Sequence, residues 1–480
     1  MEHLIKINLP GGFISAGDLY EILLIAEGAG AHSIRFGNRQ QLYFSIAEDR
    51  LEDMELDMLK SAISYEVDED NCPNIISSYV ADTIFTHHEG WLREGVYKDI
   101  FDGFDHQPKL KVNLVDSNQT FVPFFSGHIN FIASNTNNYW YTYVRFPKTD
   151  QLYCFPTLVY SEDIAVLAKA IEEVILQKRD AFYNKANVDT DLFYKLVQKK
   201  LNVVFKQVTE ALKLPEFYLP YYEGFNKYSN KYWLGVYRRN ELFSLGFLKD
   251  VCLLCLKSRI GQIYTTPWKS FIIKGIDPTD RPQWGLILSK YHFNVRHAAN
   301  ELNWQVEDVC REGLDLKLQL VRQFEEADLR TYQLCFAIKT QPKTGLQGSI
   351  IIKKEEEDLY TISHTRDFNP NSREEVTYAA GVAQAQLTDH LIALCHRFQN
   401  LQCEAIEPAE LPNKVIQQEI VTVYECGSCL SRYDMQYGDL AKAIAPGTDF
   451  ESIPVYNCPV CDAPKSQFNS ISVSRIHDTL

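Results

Sequence analysis

The chain has 480 residues, of which 45% are hydrophobic and 23% are charged, an ordinary globular composition. At roughly 100–200 residues per domain, this length predicts several domains. The formal net charge of −15 argues against nucleic-acid binding, because phosphate recognition needs a basic surface, and it favours a basic partner instead.

The N-terminus has no basic region followed by an apolar stretch, and no apolar run reaches the roughly 18–20 residues that cross a bilayer. We therefore expect a cytoplasmic protein with no membrane partner. A reducing compartment disfavours disulfides among its twelve cysteines.

Two stretches, residues 1–50 and 231–276, share one pattern of strand, turn, helix, turn and strand. In the first, Ser15 and Asp18 have the spacing of a helix cap. In the second, a helix is expected to end at Gly261. The repeat is longer than solenoid periods, so the pattern indicates duplication of a whole domain.

Longer mixed segments follow each copy. Residues 66–160 are rich in β-branched and aromatic residues. Hydrophobic periodicity predicts further helices over 161–176, 190–213 and 374–398, and a strand over 347–354. Residues 405–416 have the composition of a linker. The predicted divisions are 1–65, 66–230, 231–278, 279–404, 405–420 (linker) and 421–480.

The C-terminal segment carries two Cys-x-x-Cys pairs, Cys426 with Cys429 and Cys458 with Cys461. Each pair can wrap two thiolates around one side of a metal, and two pairs give a closed tetrahedral site for zinc or iron. Spacing alone does not decide between the metals. Four buried thiols or a disulfide framework are the alternatives, and the compartment argues against disulfides.

From Tyr424 to Phe468 the segment resembles rubredoxins. The matching residues are Tyr433-Asp434, Gly438-Asp439, Pro446-Gly447-Thr448 with Phe450, Pro454, the second cysteine pair and Pro464-Lys465. The resemblance implies one iron ion held by the four cysteines, one-electron transfer, and an aromatic core that limits water access. Rubredoxins usually have Gly after each pair, where Leu430 and Asp462 stand here, and Trp at the position of Tyr456.

The duplicated part resembles the sulfite and nitrite reductases. IRFGNRQQLYF (34–44) looks like that family's Arg-x-Thr-x-Arg-Gln strand, and IYTTPWKSFII (263–273) like its Thr-Pro-Trp variant. The implied fold class is α+β: duplicated ferredoxin-like half-domains with sirohaem-reductase-like α/β domains, followed by a small rubredoxin-like β domain.

In that family, Arg and Lys side chains hold sirohaem, and a Cys-x₅-Cys with a Cys-x₃-Cys pair holds a [4Fe–4S] cluster. Here Cys72, Cys310 and Cys335 stand singly and Ser117 replaces a cysteine, so no cluster is expected. Arg35 and Arg39 are candidates for binding an anion or a tetrapyrrole; the alternative is that they form surface ion pairs on a strand. Cys252 and Cys255 lie in an apolar helix and are expected to pack as small hydrophobes.

Three functions follow as hypotheses. The first is an electron carrier whose rubredoxin-type iron exchanges electrons with a protein that presents a basic docking surface. The second is a sirohaem-dependent oxidoreductase of nitrite or sulfite with a built-in rubredoxin donor. The third is a non-redox protein with structural zinc.

Overall fold

The computed structural model describes residues 2–86, 90–149, 151–185, 187–341, 345–356, 358–372, 374–405 and 418–476. The chain divides into two compact units, Met1–Phe398 and Gln399–Leu480. No helix within the described ranges is long and apolar enough to cross a membrane.

The first copy of the repeat alternates short strands with two helices. Its elements are β1 (Glu2–Ile7), β2 (Phe13–Ser15), α1 (Ala16–Gly28), β3 (Ser33–Phe36), β4 (Leu42–Ala47), α2 (Leu51–Lys60) and β5 (Glu66–Val67). Helix α1 begins as predicted, because the Ser15 hydroxyl accepts a hydrogen bond from the Asp18 N–H at 3.0 Å.

A mixed sheet with helices follows. Its elements are β6 (Ile76–Ser77), α3 (Glu94–Asp102), β7 (Val112–Val115), β8 (Ile129–Ala133), β9 (Tyr139–Arg145), β10 (Leu152–Cys154), β11 (Thr157–Tyr160), α4 (Ile164–Gln177), α5 (Arg179–Phe182), α6 (Thr190–Lys199) and β12 (Lys206–Gln207). The helix predicted over 190–213 therefore stops at Lys199. The chain beyond it includes a short strand, Lys206–Gln207, that pairs with β11.

The second copy has an additional strand at its start and then follows the order of the first copy as far as its second helix. Its elements are β13 (Gly224–Tyr228), β14 (Lys231–Val236), β15 (Phe243–Ser244), α7 (Leu245–Lys257), β16 (Gln262–Thr265), β17 (Phe271–Ile276) and α8 (Arg281–Lys290). Helix α7 ends earlier than predicted: the left-handed residue after it is Arg259, with φ 57°, and not Gly261.

The second mixed sheet comprises α9 (Ala299–Leu302), β18 (Trp304–Val306), α10 (Arg311–Glu326), β19 (Phe336–Lys339), β20 (Ile350–Glu356), β21 (Leu359–Thr365), β22 (Glu375–Ala383) and α11 (Leu387–Ala405). The single helix predicted over 374–398 is wrong, because its first part is strand β22. Pairing with β21 outweighs the helical preference of the alanines there.

The two copies exchange strands. One sheet has the order β15-β3-β4-β1-β5, and the other has the order β13-β14-β17-β16-β2. Strand β15 of the second copy thus pairs with β3 of the first, and β2 of the first pairs with β16 of the second. One hydrophobic core, which includes residues of α1 and α7, serves both sheets.

Both mixed sheets follow a common plan. Three parallel strands, β6-β7-β8 or β18-β19-β20, lie beside an antiparallel strand, β9 or β21. The whole segment of half-domain plus mixed sheet is therefore repeated, as the sequence predicted. The exact domain boundaries stay predictions. Residues 406–417 of the predicted linker lie outside the described residues, and residues 418–420 belong to the first strand of the second unit.

The second unit is a small sheet with long turns. Its strands are β23 (Gln418–Cys426), β24 (Arg432–Tyr433) and β25 (Phe468–Ile476), in the order β24-β23-β25. The turn after β23 and the turn before β25 carry the cysteine pairs.

Candidate metal centre

The two turns bring the four predicted cysteines together. The Sγ atoms of Cys426 and Cys461 lie 3.6 Å apart, and those of Cys429 and Cys458 lie 3.4 Å apart. All four sulfur atoms lie within 4.8 Å of one another. This spacing matches four thiolates that surround a single metal ion.

The two turns have the same backbone hydrogen bonds. The Leu430 N–H donates to the Cys426 carbonyl, and the Asp462 N–H donates to the Cys458 carbonyl, both at 2.9 Å. Leu430 and Asp462 have φ values of 60° and 59°, the left-handed conformation that favours glycine. The two turns therefore share one geometry, and Leu430 bears the steric cost of the left-handed conformation.

We expect Leu430→Gly to raise the free energy of unfolding of this unit by about 0.5–1 kcal/mol, because it removes the cost of a left-handed leucine. Val460→Gly, in the second turn, is the matched control and is expected to give no gain, since Val460 has no positive φ. Denaturant unfolding followed through the iron absorption measures both. A gain in the control equal to that of Leu430→Gly would contradict the strain argument.

Hydrogen bonds to sulfur favour thiolates at this site. The backbone N–H of Ser428 lowers the pKa of Cys426. Burial raises the pKa of Cys458, but the Ser431 hydroxyl and the N–H groups of Cys461 and Val460 outweigh burial and lower this pKa to about 6.

The pKa of Cys461 is shifted in the opposite direction. The Ala463 N–H lowers the pKa of Cys461, but the sulfurs of Cys429, Cys426 and Cys458 together raise it to about 12. Four negative sulfurs at this separation repel one another strongly, and a metal cation removes that repulsion. The donor set therefore fits a cation such as iron.

An aromatic core supports the site from one side. The rings of Tyr424 and Tyr433 lie 4.3 and 5.0 Å from the ring of Phe450, and those of Tyr456 and Phe468 both lie 5.2 Å from it. Tyr456, at the position where rubredoxins have Trp, donates its hydroxyl to Asp439 at 2.9 Å. A tyrosine is thus accommodated in this core with its polar end satisfied.

The two arginines singled out from the sequence have different surroundings. Arg35 lies half-buried on β3, opposite Tyr43. Arg39 is buried in the turn before β4, and its guanidinium donates to the carbonyls of Asn74 and Val112 at 2.7 and 2.9 Å. Burial, more than any neighbouring charge, lowers the pKa of Arg39 to about 9. Arg39 thus binds backbone rather than forming the surface ion pair considered above.

A polar cavity of about 330 Å³ lies beside Arg39, at the low end of the roughly 300–1,000 Å³ typical of ligand pockets. Three acidic side chains, Asp70, Glu307 and Asp308, line it together with the cations of Arg39 and Lys111. Sirohaem is a bulky macrocycle with many carboxylates, so it needs a larger space with cationic walls. The residues beside Arg39 do not fit sirohaem.

Trp268 takes the place of Arg39 in the second copy. Its indole N–H donates to the Phe121 carbonyl at 2.9 Å, and its ring stacks on Tyr222 with centroids 6.3 Å apart. Trp268, Phe121 and Tyr222 belong to one buried core. In the second copy, large aromatic side chains thus fill the interior next to the turn that carries Trp268.

Three of the remaining cysteines have local structural surroundings. Cys310 caps α10 by accepting a hydrogen bond from the Gly313 N–H, and Cys335 lies against Ser349. Burial raises the pKa of Cys252 to about 12, as expected for a thiol that packs as a hydrophobe. Within the described part of the chain, the group of Cys426, Cys429, Cys458 and Cys461 is the one set of side chains spaced to hold a metal.

Two cysteine turns on a three-stranded sheet, with an aromatic core beside them, define a mononuclear tetrathiolate metal protein. Residues 423–468 match the family model named Rubredoxin. Through this segment the chain belongs to the rubredoxin family.

Individual relatives match the same segment. The probable rubredoxin HupI of Bradyrhizobium diazoefficiens is 48% identical over 59 residues, which is 12% of this chain and 86% of HupI. Rubredoxin 4 of Rhodococcus is 39% identical over 54 residues, 11% of this chain and 90% of the relative. A rubredoxin of Synechocystis is 37% identical over 60 residues, 12% of this chain and 52% of the relative.

The larger part of the chain has a counterpart among solved structures. The NirA protein of Mycobacterium tuberculosis superposes with a TM-score of 0.62 at 14% identity, covering 83% of this chain and 81% of NirA. At this identity the similarity concerns the fold alone. The predicted fusion of a duplicated α+β scaffold to a rubredoxin domain is confirmed, and the scaffold has the fold of NirA.

Proposed function

We propose that this protein is a one-electron carrier whose redox centre is an iron ion held by Cys426, Cys429, Cys458 and Cys461. The observation that carries the proposal is the set of four sulfur atoms within 4.8 Å of one another on two matching turns. Iron in such a site supplies one-electron chemistry by cycling between its ferric and ferrous states.

The protein's own residues set the conditions for this transfer. Backbone N–H groups and the Ser431 hydroxyl donate to sulfur, which stabilises the more negative reduced state. The aromatic core around Phe450 limits water access from one side. Because the four thiolates carry the negative charge before and after transfer, little rearrangement of the protein is required.

The proposal assigns no second redox centre to the larger unit. Its support is the small cavity beside Arg39, which does not fit sirohaem, and the fact that Cys72, Cys310 and Cys335 belong to no group spaced to hold a metal among the described residues. The larger unit then serves as a scaffold, and the protein exchanges electrons with another protein rather than reducing nitrite or sulfite itself.

The proposed partner presents a basic surface. Residues 421–480 contain seven Asp or Glu against four Lys or Arg, and the tetrathiolate site adds further negative charge. Leu430 and Val460, next to the ligands in the two turns, are 68% and 73% exposed. Apolar contact at these residues would complement the charge attraction in a transient electron-transfer complex.

Purification of the full chain from iron-replete cells that also make sirohaem tests the proposal. We expect one iron per chain, ferric thiolate absorption that bleaches on reduction, and no tetrapyrrole bands. Stoichiometric zinc in a colourless protein would support a structural site instead. Tetrapyrrole bands with reduction of nitrite or sulfite would support the reductase hypothesis.

Sequence reasoning did not single out Ser431, whose hydroxyl oxygen lies 2.9 Å from Cys458 Sγ. A metal-bound thiolate has no proton, so the hydroxyl is then the donor. We expect Ser431→Ala to lower the reduction potential by about 40 mV, equivalent to the roughly 1 kcal/mol of one hydrogen bond. Ser428→Ala is the control, because its hydroxyl bonds Gln467 instead. Potentiometric titration compares them, and equal shifts would contradict a role for the Ser431 hydroxyl.

A further inference from the structure

A cavity far along the sequence from the cysteine turns lies beside β1, β2 and α1 of the first copy, and Gln262 of the second copy also lines it. Its volume is about 730 Å³, within the range of sites that bind small organic molecules. Its walls are mainly apolar and include the rings of Phe13, Phe101 and Phe104. Isoleucines of β1, α1 and the segment after α2 complete these walls.

The second copy shows why the first has this space. Helices α1 and α7 have equal length and the same preceding serine, so Asp18 corresponds to Phe247. The turns after α2 and α8 have the same hydrogen bonds, so Ile63 corresponds to Phe293. Phe247 and Phe293 stack with their centroids 3.8 Å apart.

Asp18 and Ile63 both line the cavity of the first copy. The first copy thus has a smaller pair of side chains where the second has two stacked rings. The fold can thus accommodate two stacked rings at these positions, and in the first copy the smaller side chains leave a cavity there.

The polar groups of the wall restrict what can bind. The lining residues include the carboxylates of Asp18 and Asp105 and the imidazole of His106, which lies 3.1 Å from Asp105, but neither lysine nor arginine. Asp105 is paired with Lys169, whereas no ion pair of Asp18 is found among the described residues. An anionic ligand would meet like charge beside Asp18.

We propose that this cavity binds an uncharged, flat aromatic molecule. The three phenylalanine rings supply apolar aromatic walls, the smaller side chains at positions 18 and 63 leave the space, and the charge of Asp18 disfavours anions. The site is independent of the iron centre and of the function proposed for it.

Two fluorescent probes that share one ring skeleton and differ in charge test which ligands the cavity binds. N-phenyl-1-naphthylamine is uncharged and has one N–H, and 8-anilino-1-naphthalenesulfonate adds a sulfonate. With the full iron-loaded chain, we expect saturable binding of one uncharged probe per chain, and binding of the sulfonate at least about tenfold weaker. Equal or tighter binding of the sulfonate would overturn the proposal.

The second copy supplies the blocking variant. The double substitution Asp18→Phe with Ile63→Phe imports the pair that stacks as Phe247 and Phe293, and we expect it to reduce binding of the uncharged probe by at least about tenfold. Leu59→Phe, on the exposed side of α2, is the matched control and should leave binding unchanged. Unchanged binding in the double variant would overturn the site.

A second variant decides the case if the double variant unfolds. Asp18→Asn keeps the volume and removes the charge, so we expect the sulfonate probe to bind several-fold more tightly while the uncharged probe is unaffected. No gain for the sulfonate would show that Asp18 does not select the ligand, and it would overturn the proposal.

Discussion

We expect Cys458→Ser to lose the ferric thiolate colour and to weaken iron binding by more than about 100-fold, because a hydroxyl is a far poorer ligand than a thiolate. Cys458 is buried and also receives the Ser431 hydrogen bond, so its loss removes both a ligand and part of the hydrogen bonding to sulfur. Absorption spectra and metal analysis of the purified full chain measure the change.

Cys403→Ser is the matched control, since Cys403 is an exposed free cysteine on α11. It should keep full colour and one iron per chain. If Cys458→Ser also kept its colour and iron content, the assignment of the four ligands would be wrong.

We expect Phe450→Ala to lower the free energy of unfolding of the rubredoxin-like unit by about 3–5 kcal/mol. Phe450 is 2% exposed and contacts Tyr424, Tyr433 and Phe468, so the substitution leaves a cavity at the centre of a very small core. A unit of this size has few other apolar contacts to compensate, and we expect iron to be lost at much lower denaturant concentration.

Tyr437→Ala controls for the removal of an aromatic ring, because Tyr437 is 64% exposed. Its free energy of unfolding, measured in the full chain by iron absorption, should change by no more than about 0.5 kcal/mol. Similar losses in both variants would mean that the ring cluster does not stabilise the site.

The cysteine site could be predicted because its information is local. Each Cys-x-x-Cys pair forms a turn of its own, so the ligands, the turn conformation at Leu430 and Asp462, and the small core could all be inferred from neighbouring residues. The role of Ser431 could not, because its bond to Cys458 joins two turns that are distant in sequence.

The larger unit was predictable in outline and not in detail. The spacing of apolar residues located α1, α7 and the repeat. It misassigned β22 as helix, because alanines there favour a helix locally while pairing with β21 decides the outcome. The burial of Arg39 against backbone carbonyls likewise depends on residues 35 and more positions away, which a local pattern does not reveal.

The exchange of β2 and β15 between the two copies has a consequence for how the chain folds. Each five-stranded sheet is completed by a strand that lies more than 200 positions away, as in the pairing of Ser15 with Gln262. Neither copy can therefore close its own sheet during synthesis, and the first must wait until the second has emerged from the ribosome. Such distant pairings slow folding and leave sheet edges exposed in the nascent chain, where chaperones would act. The exchanged strands thus make each copy depend on the other to complete its sheet.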